Sequence, residues 1–277
     1  MNIGIIGHGF VGKALEYGLQ NNLTDKKYSV YVYDKYEKLS SMAEVVEKCV
    51  YLFICVPTPF NEESDSIDLS ILHNVIQEID DISETSKTII IKSTVVPGTV
   101  NILATKYHRH TFIFNPEFLT EKNYVDDFIN PDRVVLGGNS KEALYFLTDL
   151  YKDICGTDVP IFKMSFEEAE IVKYQCNAML AMKVGMSNLF YDLCSMFGGN
   201  YDNVLKGVTT DPRIGGSHMT IKLNRGFGGK CFPKDVAAIH SVIKDCGIDC
   251  NLLSELLRYN ANIRHFHDWK EIEGAFS

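Results

Sequence analysis

The stretch GIIGHGFVGKALEYGL, residues 4–19, spaces Gly7, Gly9 and Gly12 as G-x-G-x-x-G. An apolar run typical of a buried strand leads into these glycines, and a segment with helical spacing follows them. Such glycines permit a tight turn and let backbone approach a pyrophosphate, whose oxygens then face the N–H groups of the helix. The stretch therefore predicts a strand–turn–helix that binds a dinucleotide.

The second predicted strand, YSVYVYD, ends in Asp34. A carboxylate at this position accepts hydrogen bonds from the ribose hydroxyls of NAD and repels the 2′-phosphate of NADP. The alternative is a glycine turn without a ligand. That alternative is disfavoured because strand, glycines, helix and acid occur together, so the sequence predicts NAD as the cofactor.

The first part of the chain alternates short apolar runs with helical segments, which predicts a parallel sheet. Strands are predicted at NIGIIG, YSVYVYD, VYLFICV, TIIIKST, TFIFNP and RVVLGG. Beyond about residue 160 the pattern is helical. We expect an α/β fold, with a Rossmann-like doubly wound sheet in residues 1–160 and an all-helical dimerisation domain with a cysteine loop in residues 161–277.

Composition excludes several classes of protein. The 277 residues carry a net charge of −9 and no basic run, which argues against nucleic-acid binding. No apolar run reaches membrane-spanning length, and the N-terminus does not look like a signal peptide. The eight cysteines show no C-x-x-C spacing, so we expect neither a metal site nor a disulfide framework, and a cytoplasmic location.

One long helix is predicted from about residue 165 to residue 197. Ser165 and Glu168 form a capping box at its start. Its methionines are interpreted as core residues, and its length suggests a helix that bridges domains or packs against a second subunit. The helix also carries Lys173 and Asn177, four residues apart on one face. Lys173 is either a snorkelling side chain or a functional one, and its chemistry alone does not decide.

Polar residues follow three of the predicted strands. They are Thr58 after the third strand, Thr94 after the fourth, and Glu117 and Glu121 after the fifth. The carboxyl ends of parallel strands meet at one edge, so we expect these side chains to face one crevice. If their segment is helical, the two glutamates share one face. The alternative, a solvated helix start favoured by the dipole, stays open.

The stretch GFGGKCFPKD, residues 226–235, sets Cys231 between glycines and the pair Lys234–Asp235. A cysteine that only fills a core needs no such neighbours.

Together these stretches resemble the UDP-glucose/GDP-mannose dehydrogenase family. In the family's order they are GIIGHGFVG, FICVPTP, KSTVVPGT, NPEFLTE with DDFINPDRVVLGG, EAEIVKYQCNAMLAMKV, DPRIG and GFGGKCFPKD. The resemblance covers essentially the whole chain, and the last motif is the most specific. Related two-domain hydroxyacid dehydrogenases share the glycine turn and Lys-x-x-x-Asn but lack this cysteine.

The resemblance implies four-electron oxidation of a nucleotide sugar with two NAD, with UDP-glucose to UDP-glucuronate as the leading reaction, as used in polysaccharide biosynthesis. By resemblance Cys231 is the nucleophile. It adds to the intermediate aldehyde, and the resulting thiohemiacetal can donate a second hydride to leave a thioester. A homodimer formed through the central helical domain is also implied.

The resemblance further implies roles for individual residues. Lys173 and Asn177 look like stabilisers of the developing oxyanion, and Thr94 and Asp235 like the pair that handles the water. Glu121 resembles the glutamate near the nicotinamide, Glu117 a second acid, and Arg213 an arginine that reaches the sugar of a neighbouring subunit. The remaining cofactor positions are Phe10, Val11, Val56, Thr58 and Lys234, and the remaining substrate positions are Phe118, Leu119, Phe227 and Gly228.

Members of this family continue into a third domain that holds much of the nucleotide, and this chain ends about where that domain should begin. We therefore expect weak nucleotide-sugar affinity. Two alternatives remain: a two-electron dehydrogenase of a small hydroxyacid, and a catalytically impaired nucleotide-binding protein.

Overall fold

The computed structural model describes residues 1–21, 27–272 and 274–276 in two compact units. The first unit comprises residues 1–58 and 69–173, and the second comprises residues 59–68 and 174–277. The long helix belongs to both units, because it begins in the first and continues in the second.

The first unit is built on a seven-stranded sheet. Its strands are β1 (Asn2–Ile6), β2 (Ser29–Tyr33), β3 (Tyr51–Ile54), β6 (Thr88–Ile91), β7 (Thr111–Phe114), β8 (Val134–Gly137) and β9 (Ile161–Met164), in the order β2-β1-β3-β6-β7-β8-β9. The predicted α/β sheet is confirmed. One pairing differs from the parallel prediction, because β8 runs antiparallel to β7. Strand β9, which was not predicted, pairs parallel to β8.

Helices cover both faces of this sheet, as a doubly wound fold requires. Helices α1 (Phe10–Asn21), α5 (Tyr124–Ile129) and α6 (Lys141–Cys155) pack on one face. Helices α2 (Met42–Lys48), α3 (Ser70–Ile82) and α4 (Thr99–Lys106) pack on the other. Ile3 and Ile5 on β1 contribute to the first cluster and Ile6 to the second, so the strands are apolar on both faces.

The second unit is mainly helical. It contains most of α7 (Phe166–Met196), with α8 (Tyr201–Thr209), α9 (Phe232–Asp245), α10 (Asn251–Ile263) and a short 3-10 helix at Asp268–Lys270. A two-stranded antiparallel ribbon, β4 (Phe60–Asn61) and β5 (Ser66–Ile67), also belongs to it and was not predicted. Its fully buried apolar cluster is small and consists of Ala181, Phe227, Val236 and Leu256.

Helix α7 has the predicted length and start. The Ser165 hydroxyl accepts from Glu168 N at 3.2 Å, and the Glu168 carboxylate accepts from Ser165 N at 2.8 Å, so the capping box is confirmed. The prediction that its methionines fill a core is wrong for Met179 and Met186, which are 60% and 46% exposed. Helical periodicity identifies an apolar face and says nothing about what covers it.

Candidate active site

The glycine turn after β1 has the geometry that a dinucleotide needs. Gly7 has φ +96°, and a Cβ there would lie 2.7 Å from the carbonyl oxygen of Cys55. A Cβ at Gly12 would collide with the Gly7 carbonyl oxygen, so both positions require glycine for the backbone itself. A Cβ at Gly9 would meet no atom within 4 Å. Gly9 is thus dispensable for packing, and a side chain there would fill the space in front of the N-terminus of α1.

Asp34 follows β2 and is half-buried. Its two carboxylate oxygens accept from the backbone N–H groups of His8 and Tyr36, both at 2.8 Å. Asp34 is therefore tied to the glycine turn, because His8 lies between Gly7 and Gly9. The open space at Gly9, the helix N-terminus and this acid fit a dinucleotide. The Asp34 carboxylate would accept hydrogen bonds from its ribose hydroxyls.

His8 was not singled out from the sequence. Its ring nitrogens lie 2.5 Å from Glu37 Oε2 and 2.7 Å from Glu16 Oε2. The His8 ring and Lys13 lower the pKa of Glu37 through hydrogen bonds. The sequence could not identify this role of His8, because the residue occupies a variable position of the glycine motif. Its acidic partners are distant in the sequence, since Glu16 lies on α1 and Glu37 lies beyond β2.

We predict that Asp34→Ala narrows the preference for NAD over NADP. The variant loses a charged acceptor for the ribose, so NAD should bind about tenfold more weakly while NADP loses a repulsive neighbour. Calorimetry with both cofactors measures the two affinities. Asp34→Asn is the matched control, because it keeps an acceptor for the His8 amide and removes only the charge. If the unsubstituted protein binds NADP as tightly as NAD or more tightly, the assignment of Asp34 to the ribose is contradicted.

Two residues predicted from the sequence, Thr58 and Thr94, are hydrogen-bonded to each other beyond the carboxyl ends of β3 and β6. Thr58 is buried and its hydroxyl donates to the carbonyl oxygen of Thr94 at 2.7 Å. Beside Thr94, Lys92 is also buried and donates to Asn115 Oδ1 at 3.0 Å. Burial lowers the pKa of Lys92 to about 8. Two separate sets of polar contacts therefore lie at this edge of the sheet, and the sequence predicted only the threonines.

Glu117 and Lys173 form a buried ion pair within the first unit. The Lys173 ammonium donates to Glu117 Oε1 at 2.9 Å and to the Glu117 carbonyl oxygen at 2.7 Å. Both side chains are less than a tenth exposed. The Phe118 ring adds a cation–π contact to Lys173 at 5.6 Å. Lys173 is thus a buried, paired lysine, and the snorkelling alternative is excluded.

The segment after β7 is a loop, so the two glutamates do not share a helical face. Glu117 is buried and Glu121 is exposed in a turn. The loop is shaped instead by Pro116 and by the Glu117 carboxylate, which accepts a hydrogen bond from Leu119 N at 2.7 Å. Glu117, Phe118 and Leu119 line a cavity of about 240 Å³ together with Lys92 and Arg133. The structure therefore places Glu117 with Lys173 and leaves Glu121 without a described contact to either.

In the second unit the predicted residues Asn177, Lys234 and Asp235 come together. Asp235 is 1% exposed. Its Oδ2 accepts from Asn177 Nδ2 at 2.6 Å and its Oδ1 from Lys234 Nζ at 2.6 Å. Both partners are themselves buried. The asparagine of the Lys-x-x-x-Asn motif on α7 and the Lys234–Asp235 pair on α9 are thus joined by hydrogen bonds to one carboxylate, that of Asp235.

Cys231 precedes the first residue of α9, and its carbonyl oxygen accepts from Asp235 N at 2.8 Å. Cys231 is therefore the N-cap residue of α9, next to the partial positive charge that a helix N-terminus carries. Other cysteines have a different setting: burial raises the pKa of Cys49 and Cys155 to about 11 and that of Cys55 to about 12. The setting distinguishes Cys231 from cysteines that only fill the core.

The residues before Cys231 line a cavity of about 510 Å³ within the second unit. Phe227 and Gly228 contribute to its wall, with His218, Lys222 and Arg264. Arg213 lies elsewhere on this unit with a side chain that is 87% exposed and bonded to Asp211. Phe227 and Gly228 thus line a cavity as a substrate position would, whereas Arg213 faces outward from its own chain.

Two features, a metal-binding cluster and a membrane-spanning helix, are absent from the part of the chain that the structure describes. Nowhere in residues 1–21, 27–272 and 274–276 do three or more histidine, cysteine or acidic side chains form a group that could hold a metal. Over the same residues no helix has both the length and the apolar character that a membrane span requires.

Comparison with known proteins decides the family. The NAD binding domain of the UDP-glucose/GDP-mannose dehydrogenase family matches residues 13–155, and the central domain of that family matches residues 167–262. The chain belongs to the UDP-glucose/GDP-mannose dehydrogenase family. The predicted family and the predicted cofactor, NAD, are both confirmed, since residues 13–155 are the family's NAD binding domain.

Members of the UDP-glucose/GDP-mannose dehydrogenase family resemble this chain in sequence and in structure. The UDP-glucose 6-dehydrogenase of Rickettsia bellii is 37% identical over 213 residues, which cover 76% of this chain and 48% of the relative. The UDP-glucose 6-dehydrogenase AglM of Haloferax volcanii is 32% identical over 223 residues, covering 75% and 51%. A UDP-glucose dehydrogenase structure from Pyrobaculum islandicum superposes with a TM-score of 0.84 at 28% identity, covering 94% of this chain and 68% of that one. The chain spans about half the length of the curated relatives it matches.

Proposed function

We propose that this chain is an NAD-dependent nucleotide-sugar dehydrogenase that oxidises a C6 alcohol to the acid, with UDP-glucose as the leading substrate. The observation that carries the proposal is the setting of Cys231 at the start of α9. One turn further along the same helix, Asp235 is buried between Lys234 and Asn177. The relatives named UDP-glucose 6-dehydrogenase support this choice of substrate.

The reaction consumes two NAD because an aldehyde has no second hydride to give until a nucleophile adds to its carbonyl. When bound, NAD would supply the hydride acceptor for both oxidations. The Cys231 sulfur bonds to the aldehyde carbon, and the carbonyl electron pair moves to oxygen, which takes a proton. Loss of the second hydride, together with the hydroxyl proton, leaves a thioester. Water then attacks, the C–S bond breaks, and the acid and the thiolate are released.

Lys173 and Asn177 are the residues proposed to stabilise the oxygen that becomes negative during these steps. Each is buried and already hydrogen-bonded to a carboxylate, Lys173 to Glu117 and Asn177 to Asp235. Such bonds hold a donor in place, so that little reorganisation is needed when charge develops. Asp235 and Thr94 are proposed to handle the attacking water, and Glu121 and Lys234 to lie at the cofactor.

The alternative reaction is two-electron oxidation of a small hydroxyacid. It needs the glycine turn, Lys173 and Asn177, and it makes Cys231 dispensable. A second alternative, a nucleotide-binding protein without turnover, predicts NAD binding and no NADH. A spectrophotometric screen for NADH against a panel of nucleotide sugars and hydroxyacids separates the three. NADH from a nucleotide sugar supports the proposal, and NADH from hydroxyacids alone rejects it.

We also propose that the protein is a homodimer whose interface includes the second half of α7. Met186, Phe190, Leu193 and Phe197 are each at least 46% exposed in the chain. Their spacing places them on one side of the helix, so they form a continuous apolar stripe. Contiguous exposed apolar surface of this kind marks an interaction site. The exposed Arg213 would then be free to contact the sugar bound by a partner subunit.

We predict that the double substitution Met186→Glu and Phe190→Glu converts a dimer into a monomer of 31.3 kDa. Each subunit would then bury two carboxylates in the interface without partners. Sedimentation velocity at micromolar concentration measures the state. Ser195→Glu, on the opposite side of the same helix, is the control and should leave the dimer intact. A monomeric unsubstituted protein rules out the interface. If Arg213 acts across it, the monomeric variant also loses turnover.

Residues 1–160 and 161–277 are proposed as the two functional domains, a division that falls between the two family matches. We propose a cytoplasmic location as well. All eight cysteines are free thiols, which is typical of a reducing compartment.

A further inference from the structure

The loop that leads to Cys231 has a strained backbone. We call residues 225–229 (RGFGG) the glycine loop. Arg225, Gly226 and Gly229 all have left-handed backbone angles, with φ of 54°, 53° and 76°. For a non-glycine residue such as Arg225 this conformation costs free energy, so surrounding contacts must hold it. The contacts that do so come from side chains on α7, on α10 and in the segment that follows α10.

Asn260 on α10 makes the most complete of these contacts. It is 2% exposed. Its Oδ1 accepts from Phe227 N at 2.7 Å, and its Nδ2 donates to the Phe227 carbonyl oxygen at 2.9 Å. One amide side chain thus satisfies both backbone groups of one loop residue, as a neighbouring strand would. A Cβ at Gly226 would lie 3.3 Å from Asn260 Cγ and would collide with Oδ1, so the loop and the asparagine are fitted to each other.

Three other side chains fix the ends of the loop. Asn188 on α7 is buried, and its Oδ1 accepts from Arg225 Nε at 2.6 Å and from Gly226 N at 3.2 Å. Arg264 donates to the Arg225 carbonyl oxygen at 2.6 Å and pairs with Asp268 at 2.9 Å. Asp268 in turn accepts from Gly229 N at 3.2 Å. The loop is therefore bonded at Arg225, Gly226, Phe227 and Gly229.

The glycine loop also lines a cavity. Gly226, Phe227, Gly228 and Gly229 line the cavity of about 510 Å³ described above. Backbone that is hydrogen-bonded on one side and faces a cavity on the other suits recognition of a ligand by a preorganised surface. Only one residue, Lys230, separates the loop from Cys231 at the start of α9. The loop therefore leads almost directly into the residue that bears the sulfur.

We infer that Asn260 is the positioning residue that sets the glycine loop, and through it the place of the Cys231 sulfur relative to the sugar. This inference rests on the proposed function for the sugar and the nucleophile. The positioning of the loop itself is independent of that function. The side-chain hydrogen bonds of Asn260 described above go to the backbone of Phe227, through which it acts on the loop.

The test is Asn260→Ala, compared with Asn260→Asp and with Asn262→Ala. Asn260→Asp keeps the acceptor for Phe227 N and loses the donor to its carbonyl oxygen. Asn262 is exposed on the same helix, so Asn262→Ala is the matched control. Hydrogen exchange of the peptide covering residues 226–231 reports the loop. Alkylation of Cys231 by iodoacetamide, followed by mass spectrometry, reports the sulfur. Neither readout requires turnover.

In Asn260→Ala we expect exchange at the Phe227 amide to be about tenfold faster, because two buried hydrogen bonds are lost. Turnover should fall about tenfold or more, the alkylation rate of Cys231 should change, and KM for NAD should stay within about twofold. Asn260→Asp should lie between the unsubstituted protein and Asn260→Ala, and it carries the test if the alanine variant does not fold. Asn262→Ala should match the unsubstituted protein.

Unchanged exchange in both Asn260 variants overturns the inference. So does faster exchange with unchanged turnover and unchanged alkylation, because the loop would then not control the sulfur. If the unsubstituted protein forms no NADH from any nucleotide sugar, the proposed function fails, and exchange and alkylation still decide whether Asn260 positions the loop and the thiol.

Discussion

Cys231→Ala is expected to stop the second oxidation while the first one continues. Hydride transfer from the alcohol does not need a thiol, whereas the thiohemiacetal and the thioester cannot form without the sulfur. Formation of the acid should fall by about a thousandfold or more, with a slow remainder from the free aldehyde hydrate. Product analysis by mass spectrometry, with an aldehyde trap, measures both steps.

Cys246→Ala is the matched control for this experiment. Cys246 is exposed at the far end of the same helix, so its removal should change neither oxidation. If Cys231→Ala kept the full rate of the second oxidation, the proposal would be rejected in favour of the two-electron hydroxyacid reaction. Loss of both steps would indicate that the sulfur also contributes to the shape of the site.

Lys173→Met is expected to destabilise the first unit by about 3–5 kcal/mol. The substitution leaves the Glu117 carboxylate, which is 7% exposed, buried without its ammonium partner. Thermal and denaturant unfolding measure the change. Lys27→Met is the control, because Lys27 and Asp153 form an exposed ion pair in the same unit, and its loss should leave the unfolding midpoint nearly unchanged.

The double variant Lys173→Met with Glu117→Gln separates stability from chemistry. A neutral amide at position 117 removes the unpaired charge, so most of the lost stability should return. If Lys173 also stabilises the developing oxyanion, turnover should remain low in the double variant. Recovery of both stability and turnover would show that the ion pair has only a structural role.

Six of the seven strands in the sheet were predictable because each is a short apolar run bounded by turn residues, and the glycine motif indicates which turn binds the cofactor. The direction of β8 was not, since parallel and antiparallel strands in a covered sheet share the same apolar pattern. Strand β9, with the sequence IFKM, is short and partly exposed, and β4 and β5 have two residues each. Segments of that length carry too little periodicity to be recognised.

Site residues were predictable where the chemistry is local in the sequence, as at Gly7, Gly9, Gly12 and Asp34. Pairings between distant residues were not. Lys173 and Glu117 are 56 positions apart, and Asn260 and Phe227 are 33 apart. Glu170 was also missed: it is fully buried, accepts from Gly98 N and Val100 N at the start of α4, and burial raises its pKa to about 7. An acid inside an apolar helix face is the signal that marks such a residue.

The central claim is that one sugar gives up two hydrides through Cys231. Limiting UDP-glucose, added to the unsubstituted protein with excess NAD, tests it by a count of NADH formed per sugar consumed. Our account predicts a ratio of two, with UDP-glucuronate as the product. A ratio of one, with the aldehyde as the product, would contradict it.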